Sequence, residues 1–133
     1  MKKFNHVIIV DDDEITSFLI DVELKKNLKP EVVRKFYNAE LALEFLRSEI
    51  EKQAPLPDLI LLDINMPVMD GWEFLDLLST TPKEREIPVV ILSSSIDPND
   101  VEKAKKYKKV KGFVSKPFKA EKLNDLFANA VKN

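Results

Sequence analysis

Short apolar runs alternate along the chain with longer stretches in which apolar residues recur every third or fourth position. VIIV at 7–10, LILL at 59–62 and VVIL at 89–92 are apolar without interruption, as suits strands covered on both faces. Residues 6–10 (HVIIV) are predicted as the first strand. Residues 14–27 follow as a helix with Ile15, Phe18, Leu19 and Val22 at helical spacing, its expected apolar face. Pro30 then precedes EVVRKFY, a more polar strand suited to a sheet edge. AELALEFLRSEIEKQ (39–53) is the second helix, carrying Leu41, Leu43, Phe45, Leu46 and Ile50, and APLPD ends it. DLILLDI (58–64) is the third strand. The loop NMPVMDG leads into the helix WEFLDLLST (72–80), stopped by Thr80, Thr81 and Pro82. PVVILSSS (88–95) is the fourth strand, and Asp97 or Asn99 caps a fourth helix with Pro98 in its first turn. VKGFVSKP (110–117) is the fifth strand. The last helix, about residues 119–131, shows Leu123, Leu126, Phe127 and Val131.

This (βα)₅ order predicts a parallel five-stranded sheet covered on both faces, an α/β three-layer sandwich. With 133 residues and no repeat, low-complexity segment or long linker, residues 1–133 read as one domain with no output module. In such sheets the functional crevice lies beyond the carboxyl ends of the strands. The residues that end the first, third, fourth and fifth strands are DDDE (11–14), Asp63, Ser93 and Lys116. All should meet at one edge. Clustered carboxylates either take up a proton or bind a hard cation, and Mg²⁺ prefers oxygen ligands. A lysine and a serine opposite them suit a phosphoryl group. The residues alone therefore point to Mg²⁺-assisted phosphoryl transfer with an aspartate as nucleophile. Asp13 and Glu14 read instead as helix-start residues.

Composition narrows the classes. The net charge of −2, from 21 basic and 23 acidic residues, implies neither a nucleic-acid nor a membrane partner. The absence of cysteine excludes disulfides, thiolate metal sites and a cysteine nucleophile. No apolar run spans a membrane, and MKKFNH is not followed by a signal-peptide core, so a cytoplasmic protein is expected. Six lysines in KAKKYKKVK (103–111) read as a solvated helix face.

The motifs VDDD (10–13), LLDINMPVMDGWEFL (61–75), PVVILSS (88–94) and GFVSKPF (112–118) resemble those of response-regulator receiver domains of two-component signalling, of the single-domain kind similar to the chemotaxis response regulator. The resemblance spans essentially the whole chain. It implies the flavodoxin-like strand order 2-1-3-4-5 and a stand-alone regulator that is not an enzyme beyond slow self-dephosphorylation. It assigns Asp63 as phosphoacceptor, Asp12 as Mg²⁺ ligand with Asp11 beside it, and Asn65 as a further ligand through its backbone carbonyl. Ser93 matches the switch hydroxyl, Phe113 the switch aromatic, Lys116 the phosphate-binding lysine and Pro117 a proline after a cis peptide. The implied partners are a sensor histidine kinase or a histidine phosphotransfer protein, and a downstream protein met at the face of the fourth helix, fifth strand and fifth helix. The resemblance leaves homodimer formation open.

The pattern varies in places. Ser94 stands where the family often has alanine, Ser93 where threonine is commoner, and Phe113 where tyrosine is commoner. None of these changes removes a required group. EIEKQAPLPD (49–58) looks longer and more charged than usual, a surface insertion or a partner-contact loop. A haloacid-dehalogenase-like phosphatase would place DxDxT after the first strand, where this chain has DDDEIT, and would add a cap domain. A flavodoxin-like nucleotide binder fits poorly because the two glycines form no phosphate loop. A phosphorylation-independent module would lack an acidic residue or the lysine. His6 and Trp72 read as structural residues.

Overall fold

Burial on both faces is what the uninterrupted apolar runs require, and the computed structural model supplies it. The structure describes residues 3–80, 87–94 and 96–132, with the main chain alone for 128–132. Among these residues the elements run β1 (His6–Val10), α1 (Glu14–Asn27), β2 (Val32–Phe36), α2 (Ala39–Glu51), β3 (Leu59–Asp63), α3 (Gly71–Leu78), β4 (Val89–Ser93), α4 (Pro98–Ala104), β5 (Val110–Ser115) and α5 (Ala120–Lys132). The strands form one sheet in the order β2-β1-β3-β4-β5, each neighbouring pair parallel. The expected architecture and strand order are therefore present. The expected positions Thr81, Pro82, Ser95 and the Val131 side chain lie outside the described residues.

The sheet separates two cores. On one side Ile8, Val10, Ile60, Leu62 and Ile91 pack with Ala42 and Leu46 of α2 and Phe74, Leu75 and Leu78 of α3. On the other, Val7, Ile9, Leu59, Leu61, Val90, Leu92 and Val114 pack with Ile20 and Leu24 of α1 and Leu123 and Phe127 of α5. Alternate residues of each strand feed opposite cores, as the two-residue period dictates. Truncating any one of these leucines to alanine is worth about 2–5 kcal/mol.

The face that α1 buries differs from the one its apolar spacing predicts. Ile15, Phe18, Leu19 and Val22 are 72%, 58%, 58% and 46% exposed, while Ser17, Ile20, Asp21 and Leu24 are buried. Both sets have helical spacing, so periodicity alone cannot choose between them. The choice is made by polar anchors. Asp13 caps the helix, accepting from the Ile15 and Thr16 amides and the Thr16 hydroxyl. Ser17 Oγ donates to the Asp11 carbonyl, and Asp21 pairs with Lys25 and with Lys35 of β2. Those contacts give Ser17 a hydrogen bond and Asp21 two lysine charges, although Asp21 Oδ1 takes no aligned hydrogen bond. In α2, Leu43 and Leu46 are buried but Leu41 is half exposed.

The lysine-rich run also departs from its expected form. It covers the end of α4, a turn and the start of β5, not one helix face, and Lys109 within it is buried. The β4–β5 register shifts here, with Val89 opposite Val110 but Val90 opposite Gly112, so Lys111 is the extra residue of a bulge. From that shift onward Ser93 faces Ser115, and the Lys116 amide donates to the Ser93 carbonyl at 2.9 Å.

Asp97, not Asn99, caps α4, accepting from the Asn99 amide with Pro98 next in the chain. Trp72 packs as expected: its ring stacks on Tyr107 with centroids 5.9 Å apart, and Lys103 Nζ sits 4.8 Å above it. The Tyr107 hydroxyl donates to Asp76 at 2.6 Å, clasping α3 to the end of α4. Burial and the Asp76 carboxylate push that phenol up to about 12. At the opposite end of the sheet, Asp58 accepts from the amides of Asn5 and His6. His6 there is held below its usual pKa by burial and by Arg34. Segment 49–58 thus ends in an anchor for β1, far from the carboxyl edge.

Gly71 begins α3 because no larger residue fits. Its amide donates to the Ile64 carbonyl at 3.1 Å, and an added Cβ would lie 2.7 Å from Ile64 Cα. Gly71→Ala is expected to lower the free energy of unfolding in urea by about 1–3 kcal/mol. Gly112→Ala should cost less, because the atom it meets is the movable Leu126 Cδ2 at 2.6 Å.

Candidate functional site

The carboxyl ends of β1, β3, β4 and β5 bring their terminal polar residues to one crevice. Asp11 follows β1, held in register by its amide, which donates to the Phe36 carbonyl at 3.1 Å. It is fully buried. Its Oδ1 accepts from the Asp13 amide at 2.9 Å, and its Oδ2 faces the Lys116 ammonium at 3.0 Å. Asp12, next to it, is exposed at the crevice mouth. Asp63 closes β3 and is buried; its side chain accepts from the Asn65 amide at 3.0 Å, and Oδ2 stands 3.7 Å from Lys116 Nζ. One oxygen from each of Asp11, Asp12 and Asp63 lies within 4.8 Å of the others.

The remaining site residues surround this trio. Ser93 ends β4 and is buried, while Ser94 after it is exposed. Phe113 of β5 is partly buried against the core formed with α2 and α3, and lines a groove of about 270 Å³ between α4 and β5. Lys116 leaves β5 toward Asp11, and the Lys116–Pro117 peptide is cis. Asn65 is exposed, and its amide is the group that Asp63 engages. In the loop that follows, Val68 is 90% exposed with φ of 68°, a left-handed conformation uncommon for a β-branched residue.

Burial pushes the Asp63 carboxyl up, and the charges of Asp11 and Asp12 add to that; the Asn65 amide and Lys116 work the other way without cancelling it. Burial also works against the Lys116 ammonium, but Asp11, then Asp63 and Asp13, outweigh it and hold the lysine above its usual pKa. The crevice therefore favours a cation. Asp11 Oδ2 is a buried acceptor that takes no aligned hydrogen bond and is met by the Lys116 charge. Three hard carboxylate oxygens converging on such a point fit Mg²⁺, with room left for water or phosphoryl oxygens.

The model of the response regulator receiver domain matches residues 7–128. The chain belongs to that family. Receiver domains are signalling domains that bind Mg²⁺ at an acidic pocket, and Asp11, Asp12 and Asp63 form an acidic cluster here that could hold a metal ion. The chain is 33% identical over 96 residues to the response regulator Rcp1 of Synechocystis, a match covering 71% of this chain and 65% of Rcp1. A crystal structure of a two-component response regulator from Cytophaga hutchinsonii superposes with a TM-score of 0.87 and 31% identity, over 99% of this chain and 100% of that one. The phosphorylated cyanobacterial phytochrome response regulator RcpA superposes with a TM-score of 0.74 and 32% identity, over 94% of this chain and 87% of its own. No helix among the described residues is long and apolar enough to cross a membrane.

Sequence reading named the polar residues of the crevice but missed those that hold them. Ser17 gives no signal beyond being a small polar residue in an apolar stretch, yet it is buried on the Asp11 carbonyl. Glu23 is likewise silent in the sequence. Its carboxylate accepts from the Ala120 amide at 3.1 Å, across 97 positions of chain.

The Lys116 side chain is 21% exposed, so its loss should cost less than the 3–5 kcal/mol of a fully buried pair. Lys116→Met is expected to lower stability by about 2 kcal/mol without metal. Its thermal midpoint should rise more steeply with MgCl₂ than the wild-type midpoint, because the ammonium no longer competes for Asp11.

Proposed function

We propose that this chain is a cytoplasmic protein that accepts a phosphoryl group on Asp63 from the phosphohistidine of a sensor histidine kinase or histidine phosphotransfer protein. The observation that carries this reading is the convergence of Asp11, Asp12 and Asp63 within 4.8 Å, faced by Lys116, in a receiver domain. An Asp63 oxygen attacks phosphorus, the P–N bond breaks, and its electron pair returns to the imidazole nitrogen. The Asn65 amide, already bonded to Asp63, holds the other carboxylate oxygen during the attack. Lys116 moves from Asp11 to the transferred oxygens. Asp11, Asp12, Asp63 and the Asn65 carbonyl would hold Mg²⁺, which supplies positive charge to the phosphoryl oxygens when bound.

The aspartyl phosphate adds about two negative charges and strong acceptors. Ser93 then bonds it, Ser94 leaves space at the mouth, and Phe113 rotates into the vacated region, shifting an existing equilibrium. The groove between α4 and β5 is the proposed downstream face: Val101, Ala104 and Phe113 give it an apolar floor, and Lys105 and Lys111 suit an acidic segment. The exposed apolar stripe of α1 offers the phosphodonor a surface that starts two residues after Asp13. On this reading the chain turns over no phosphate monoester and loses its own phosphate slowly.

Incubation with acetyl phosphate and Mg²⁺ should load acid-labile phosphate onto the wild type and none onto Asp63→Asn. Full incorporation by that variant would falsify the assignment. Asp12→Ala should weaken Mg²⁺ binding at least about tenfold in a titration, the range expected when a metal ligand or its support is lost.

A further inference from the structure

The crevice is assembled from elements that the sheet does not tie together directly. Asp11 and Asp12 follow β1, whereas Lys116 follows β5, and β3 and β4 stand between those strands. No single backbone ladder joins β1 to β5, and the distance from Asp11 and Asp12 to the ammonium is set through three ladders in series and the loop that carries Lys116. Lys116 is held at one end of its loop by its amide on the Ser93 carbonyl, and Phe118 is buried in the core beneath α1 and α5. The far end of the loop is the first residue of α5, Ala120. Lys119 and Phe118 precede it, and neither carries the short oxygen-bearing side chain that ordinarily caps a helix. Ala120 is itself buried, which leaves its amide little access to water. Glu23 serves it: from the third turn of α1, its Oε1 accepts from Ala120 N at 3.1 Å. Its carboxylate also sits at the positive end of α5. Glu23, Lys116 and Lys119 line the same groove of about 500 Å³ between α1 and the β5–α5 loop.

We infer that Glu23 is a positioning residue for phosphoryl transfer, acting through Lys116 by pinning the β5–α5 loop to the helix that begins beside the metal-site carboxylates. The inference rests on the phosphoacceptor reading of Asp63. With Glu23 in place, the ammonium is presented to Asp11 and Asp63 by a loop fastened at both ends. Without it, the Ala120 amide loses its acceptor, and the loop carrying Lys116 keeps only the Ser93 bond at the β5 end and the packing of Phe118.

The test is the rate of phosphorylation by acetyl phosphate at saturating Mg²⁺, which needs no protein partner. Glu23→Ala is expected to lower the maximal rate about three- to tenfold, with Mg²⁺ affinity within about twofold of wild type because no ligand is touched. Glu23→Gln keeps an acceptor oxygen and should retain most of the rate. Asn38→Ala removes a cap of comparable kind from α2, the 2.8 Å bond to the Leu41 amide, remote from the crevice; it should lower stability but not the rate. In a Lys116→Ala background, Glu23→Ala should bring no further loss. Equal rates for Glu23→Ala and Asn38→Ala, a Gln variant as slow as the Ala variant, or an undiminished loss without Lys116 would each overturn the inference. A wild type that takes up no acid-labile phosphate, or takes it up equally after Asp63→Asn, fails the phosphoacceptor reading instead.

Discussion

Negative charge confined where water is scarce is the constraint that the rest of this structure answers to. Two carboxylates about 4 Å apart repel by roughly 4 kcal/mol at the effective dielectric of a protein surface, and here three lie within 4.8 Å. The chain relieves that repulsion without a second basic residue in the trio. Backbone amides of Asp13 and Asn65 take one oxygen each, and a single ammonium is shared between Asp11 at 3.0 Å and Asp63 at 3.7 Å. The shared ammonium compensates only part of the charge. What remains uncompensated is what makes the crevice receptive to a divalent cation, and what makes the position of Lys116 matter.

Features distant in sequence follow from that need. The bulge at Lys111 resets the β4–β5 pairing so that Ser93 stands opposite Ser115 and Lys116 emerges at the crevice. A one-residue slip would turn every following side chain to the other face of the sheet. Gly71 lets α3 begin against Ile64, one residue beyond Asp63, so the loop between them stays short and fixed. Val68 holds the tip of that loop in a conformation its side chain disfavours, in a loop closed by the bond from the Gly71 amide to the Ile64 carbonyl.

Much of this was legible in the sequence because it depends on patterns of short range. Uninterrupted apolar runs announce doubly covered strands, and alternation with helices announces a parallel sheet. The strand-end rule then gathers Asp11, Asp12, Asp63, Ser93 and Lys116 before any coordinates are known. What escaped depends on contacts between remote positions. The spacing of Ile15, Phe18, Leu19 and Val22 is as helical as that of Ser17, Ile20, Asp21 and Leu24, and only the partners of Ser17 and Asp21 decide which set turns inward. The lysine run looked like one solvated face because composition does not reveal that a bulge and a strand start lie within it. A glutamate in the middle of a helix carries no mark of the helix end it meets on the far side of the chain.

The stack of Trp72 on Tyr107 has an optical consequence. The chain contains a single tryptophan, and its indole, on the helix that follows the Asp63 loop, stacks on Tyr107 just past α4, beneath a lysine ammonium 4.8 Å away. Emission from that indole depends on the charge and the ring beside it. The molecule thus carries a built-in fluorophore whose intensity and colour register the spacing between α3 and the end of α4, with no label attached.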